Sequence, residues 1–172
     1  MGGRIAFPLS STYSGTKFAL EGITEPLSYE IEQFGIRVML IEHGVVRTNF
    51  ANNIKKIGKT MKPDSPYSRL IEVREANRKL MVESMSIMPE EVARIVLKAI
   101  NSNSPDLRHV VGYDALRLLD SKMNMSESEF KGFMMGISSE NLKFQNKWNH
   151  NLNMDNIVNS QCIQMEHILK LC

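Results

Sequence analysis

With 21 Lys and Arg against 19 Asp and Glu in 172 residues, the net charge of +2 comes from interspersed charges without a basic run, so nothing points to nucleic acid or an anionic membrane. No apolar stretch approaches the ~20 residues of a membrane helix, and Gly2-Gly3-Arg4 leads into only a brief apolar patch rather than a signal peptide. Cys162 and Cys172 form no CxxC, and His43, His109, His150 and His167 show no ligand spacing, which predicts free thiols in a reducing cytoplasm and no metal site.

In chain order, Arg4 to Pro8 reads as a loop, and Ser10, Ser11 and Thr12 offer hydroxyls to cap the helix that follows. That helix is expected from Tyr13 to Gln33, with Leu20, Ile23, Leu27, Ile31 and Phe34 as an apolar stripe, an end at Phe34-Gly35 and a kink at Pro26. Tyr13 and Lys17 lie four residues apart at its start and therefore share a face, one turn apart. A free tyrosine titrates near pH ~10 and is a poor proton carrier at neutral pH. An ammonium group one turn away stabilises a phenolate, which would make Tyr13 a usable general acid or base. Such pairs also arise by chance on ordinary helices, so the pair needs its context.

Ile36 to Glu42 is a nearly unbroken apolar and β-branched run, the pattern of a strand buried on both faces of a parallel sheet. It ends in Glu42-His43-Gly44-Val45-Val46-Arg47-Thr48, where His43 reads as a loop residue rather than a new catalytic group. Residues 49 to 88 are polar at first, with Lys55, Lys56, Lys59, Lys62, Pro63 and Pro66, and then helical from Tyr67 to Ser84. The four lysines suit a solvated face better than a site for an anionic substrate. Met81, Met85 and Met88 could pack adaptably around a pocket or simply fill a core.

Met88-Pro89-Glu90-Glu91 starts another helix, with Val92, Ile95, Val96, Ala99 and Ile100 as its apolar face. A short strand follows at Leu107 to Gly112, then helices at Tyr113 to Lys122 and, more weakly, Ser126 to Gly136. Beyond Ser138 the chain is asparagine-rich and nearly aperiodic, with the sole tryptophan, Trp148, and a marginal helix at Ser160 to Leu171.

Five runs occur in one family's order: Gly3 to Pro8, Tyr13 to Gly22, Gly35 to Val38, Gly44 to Thr48 and Arg108 to Ala115. Together they resemble the short-chain dehydrogenase/reductase family over about the first two thirds of the chain. The family's Pro-Gly-x-x-x-Thr is matched at Gly44 and Thr48, with His43 in place of the proline. The resemblance implies an α/β, Rossmann-like doubly wound fold, here truncated to about two parallel strands, 36–42 and 107–112, with several helices. Residues 1–136 would be the C-terminal part of that domain, with the catalytic helix at 13–33 and a variable substrate lid at 49–88. Residues 137–172 would be a poorly ordered tail.

The resemblance also implies NAD(P)(H) as cofactor and a small-molecule carbonyl or alcohol as substrate. Tyr13 would act at the substrate oxygen, Lys17 would tune it and hold the nicotinamide ribose, and Thr48 with the backbone from Gly44 to Val46 would touch the cofactor. In the family a serine stands roughly a dozen residues before the tyrosine, which here falls at or before Met1, and no G-x-G-x-x-G occurs. The chain thus reads as the back half of an oxidoreductase, inactive and unstable alone. A complementing N-terminal half or an intact subunit would dock on helix 13–34. Two other readings stay open: a non-enzymatic interaction module that docks on an intact relative, and a truncated relic.

Overall fold

The computed structural model describes residues 1–54, 64–103 and 106–137. The four lysines of the expected lid, Pro63, and the tail from residue 138 with Trp148 and both cysteines lie outside the described residues. The elements are α1 (Ser11–Glu32), β1 (Leu40–His43), a 3-10 turn (Asn49–Asn53), α2 (Ser68–Met85), α3 (Pro89–Asn101), β2 (Arg108–Val111), α4 (Tyr113–Asn124) and α5 (Glu127–Ile137). The two strands pair in parallel, Leu40 with Arg108 through His43 with Val111, so the chain has the α/β character that the sequence implies. Parallel pairing requires a long crossover, and here it is supplied by the 3-10 turn, α2 and α3.

Both strands are shorter than their apolar runs. A ladder exists only where a partner stands opposite, and β2 offers four residues, so Ile36 to Met39 stay outside it. Arg37 instead donates to the carbonyls of Ile100 and Ser102, closing the C-terminal end of α3, where a cation also meets the negative end of the helix dipole. The expected burial on both faces is not met either. Along β1 only Glu42 is buried and along β2 only Val111, because two strands leave most of the sheet without cover.

Helix α1 is continuous through Pro26. Its expected hydroxyl cap is absent: Ser10 makes no capping bond, and its Oγ accepts from Arg74 of α2 at 2.6 Å. Ser14 and Thr24 are its buried residues, whereas Leu20, Leu27, Ile23 at 64% and Phe34 at 70% are exposed. The helix therefore turns its apolar stripe outward. It is fastened by Arg108 of β2, which donates to Glu21 and Glu25 at 3.0 Å each. The segment before α1 lies directly on the helix backbone. A Cβ at Gly3 would stand 2.5 Å from Glu21 Cγ and 2.7 Å from the Lys17 carbonyl, so only glycine permits that approach.

The core gathers Ile5, Val73, Ala99, Val111, Ala115, Leu118, Leu119 and Met134, drawn from α2 to α5, β2 and the first turn of the chain. Local sequence explains the helix starts. Pro89 opens α3 with Glu90 and Glu91 at the positive end of its dipole. Ser126 and Glu129 form a reciprocal capping box before α5, with Ser126 N–H donating to Glu129 Oε2 at 2.9 Å. Among the described residues no helix is long and apolar enough to cross a membrane.

Candidate active site

Tyr13 stands in the first turn of α1, with 45% of its surface exposed. Lys17 follows one turn later and brings its Nζ to 5.7 Å from the Tyr13 ring centroid, the shared face that the spacing predicts. Among the described residues the Lys17 ammonium group has no hydrogen bond or ion pair, so its donors are available. Gly2 passes close to both side chains: a Cβ there would lie 3.5 Å from Tyr13 Cε1 and 3.8 Å from Lys17 Cγ. The chain enters α1 through Leu9, whose φ of 60° is left-handed. Arg74 holds this entry by donating to the Leu9 carbonyl at 2.9 Å as well as to Ser10.

On its other side the Tyr13 ring meets Phe50, with centroids 5.9 Å apart and planes inclined by 53°. Phe50 belongs to the 3-10 turn that Thr48 caps, the Thr48 hydroxyl accepting the Phe50 N–H at 3.3 Å. That bond uses one lone pair and leaves the hydroxyl hydrogen free to donate. The start of α1 and the turn after β1 thus meet at this aromatic contact.

Gly44 to Arg47 form the link between β1 and that turn, and their backbone is held at almost every position. Gly44 N–H donates to the Val111 carbonyl at 2.8 Å and Val45 N–H to Asp114 Oδ2 at 2.7 Å. Val46 bridges Ile87, which donates to the Val45 carbonyl at 3.0 Å and accepts from Arg47 N–H at 2.9 Å. His43 is exposed, and its Nδ1–H donates to the Gly44 carbonyl at 2.8 Å, a local loop bond.

Asp114 escapes a sequence reading. It sits in the first turn of α4 and is fully buried, 0% exposed. Burial pushes its carboxyl above the usual carboxylate range, opposed by hydrogen bonds from the Val45 and Ala115 N–H groups. The only outward signal is an acid just after Gly112, in a first helical turn where acids are common. Phe50 was equally invisible, since an aromatic in a polar stretch has many possible neighbours. Among the described residues no cluster of three or more His, Cys, Asp and Glu could hold a metal.

A family model described as short chain dehydrogenase matches residues 1–57. An oxidoreductase of Botryotinia fuckeliana is 34% identical over 117 residues, 67% of this chain and 41% of that protein. Human 17-beta-hydroxysteroid dehydrogenase type 1 is 29% identical over 126 residues, 72% of this chain and 38% of that one. The crystal structure of a short-chain dehydrogenase from Streptomyces avermitilis superposes with a TM-score of 0.57 at 28% identity, over 77% of this chain and 46% of that one. The chain therefore spans less than half the length of each of these three proteins. Motif order, sequence similarity and fold agree, and the chain belongs to the short-chain dehydrogenase/reductase family of oxidoreductases.

Proposed function

We propose that these residues are the catalytic, C-terminal half of an NAD(P)-dependent oxidoreductase acting on a small-molecule carbonyl or alcohol. The observation that carries this reading is the grouping at Tyr13: a half-exposed phenol with an ammonium one turn away that is unpaired among the described residues, and the Thr48–Phe50 turn against its ring. These groups suit the nicotinamide end of a dinucleotide. Among the described residues Lys17 has free donors for ribose hydroxyls and Thr48 a free hydroxyl hydrogen, and Gly44 to Val46 present backbone beyond the carboxyl end of a parallel strand.

Bound nicotinamide would supply the hydride chemistry. The protein's own contribution is proton transfer and position. Tyr13 gives its phenolic proton to a carbonyl oxygen, or takes one from an alcohol. Lys17 stabilises the phenolate while it exists. Turnover requires the glycine-rich nucleotide-binding half, whether in the same chain or in a second one. The outward stripe of Leu20, Ile23 and Leu27 on α1, with Phe34 just past its end, is the surface assigned to that half or to a second subunit.

The test is a chimaera in which the N-terminal half of the Streptomyces avermitilis enzyme precedes these 172 residues. NADPH- and NADH-dependent reduction of a panel of ketones and aldehydes is expected in the chimaera and not after Tyr13→Phe. A folded chimaera that reduces nothing and binds neither nucleotide rules the reading out.

A further inference from the structure

Resting on the assignment of Gly44 to Thr48 to the cofactor, we infer that Asp114 is the positioning residue of that segment, its carboxylate taking the Val45 N–H just past the last β1–β2 rung and setting where the segment leaves the sheet. The last true rung is the bond from Gly44 N–H to the Val111 carbonyl, 2.8 Å long. Leu40 and Gly44 direct their N–H groups at β2, so by the alternation of a strand Val45 N–H is no ladder donor, and beyond Val111 the chain leaves β2 at Gly112, with a φ of 99°, and enters α4. The Asp114 side chain folds back from the first turn of α4 and accepts this N–H at 2.7 Å.

The slot around the carboxylate is shaped by two glycines. A Cβ on Gly44 would fall 1.9 Å from Asp114 Oδ1, and one on Gly112 would fall 2.8 Å from the same atom. Either would expel the carboxylate or push the segment away. Gly44 is thus required here by Asp114 rather than by its own backbone angles, since its φ is not among the positive ones. Oδ1 itself is buried without a hydrogen-bond partner among the described residues. Such a group is costly unless its other oxygen makes a bond worth keeping. From Val45 onward Ile87 takes over on the other side, accepting from Arg47 and donating to Val45. Asp114 therefore sets the first fixed point beyond the sheet, and Val46 and Thr48 inherit their position from it.

Amide hydrogen exchange on the 172-residue chain tests the clamp directly. Asp114→Ala should speed exchange at Val45 by roughly tenfold or more, the loss of one charge-assisted bond, while Ala99 and Leu118 amides keep their rates. Asp114→Asn, whose amide oxygen can still accept, should restore Val45 protection. In case the alanine variant does not fold, Gly44→Ala makes the same demand from the opposite side, and it too should release Val45. Unchanged Val45 exchange in both the alanine variant at 114 and the alanine variant at 44 overturns the inference. In the chimaera, Asp114→Ala should raise the NADPH dissociation constant about tenfold with Asp114→Asn near wild type. Released Val45 with unaltered NADPH affinity also overturns it. A wild-type chimaera that binds no nucleotide, with Val45 still governed by Asp114, overturns the cofactor assignment instead and leaves Asp114 as a stabiliser of the fold only.

Discussion

At the scale of single residues, the candidate chemistry depends on two side chains that were legible and one that was not. Tyr13 and Lys17 were legible because a helix places residues four apart on one face whatever surrounds it. In the completed enzyme Tyr13→Phe should lower turnover by about 10²- to 10⁴-fold, the usual cost of a lost general acid or base. Lys17→Met should weaken nucleotide binding as well as rate, and steady-state kinetics with varied NADPH would separate the two. Asp114 was not legible, since its partner Val45 lies 69 residues away and only folding joins them. Its carboxyl is raised by burial, against the Val45 and Ala115 N–H groups and the charge of His43. A raised folded value means that the native state holds the proton more tightly than the unfolded chain does. The associated stability is present below the unfolded carboxylate value and lost as pH rises through the folded one. Melts from acid to neutral pH should accordingly show Asp114→Asn gaining on wild type as pH rises. A gap that stays constant across that range would contradict this.

At the scale of elements, the helices and β2 were read to within a few residues and the start of β1 was not. Helix ends carry local signals, such as Pro89 with Glu90 and Glu91, or Ser126 with Glu129. Strand ends are set by the partner, and Ile36 to Met39 lost theirs because β2 stops at four residues. The attachment of α1 to the sheet was also hidden, since Arg108 meets Glu21 and Glu25 only across the fold. The Arg108 hydrogen bond, and after it that of Tyr29, holds Glu25 below the usual carboxylate range. A depressed folded value contributes stability above the unfolded value that is lost as pH falls through the folded one. Arg108→Met should therefore speed amide exchange along α1 at neutral pH, and should matter less in acid where Glu25 is protonated. Equal exchange in both proteins at neutral pH would show that the staple holds nothing.

At the scale of the whole molecule, the distribution of apolar surface separates what holds the chain together from what it presents outward. Leu118 is fully buried among the core residues, and Leu118→Ala should cost about 2–5 kcal/mol in a denaturant melt. Ile23 belongs to an equally regular apolar stripe but is 64% exposed, so Ile23→Glu should change stability by no more than roughly 0.5 kcal/mol. A large loss at Ile23 would mean that the stripe is packed inward. The same substitution should reduce association of the chain with a completing half, because it places a charge in the surface assigned to that contact.

The amino-acid sequence alone determined the helical segments, the parallel α/β character, the family and the pairing of Tyr13 with Lys17, all of which follow from periodicities and motifs spanning a few residues. Only the tertiary structure decided that the stripe on α1 faces outward, that Phe50 meets Tyr13, that Arg74 and Arg108 fasten α1, and that Asp114 accepts the Val45 N–H. Each of these joins residues far apart in the chain. Which distant groups meet, and which face of a helix is covered, is settled by the packing of the whole and leaves no period or spacing to read beforehand.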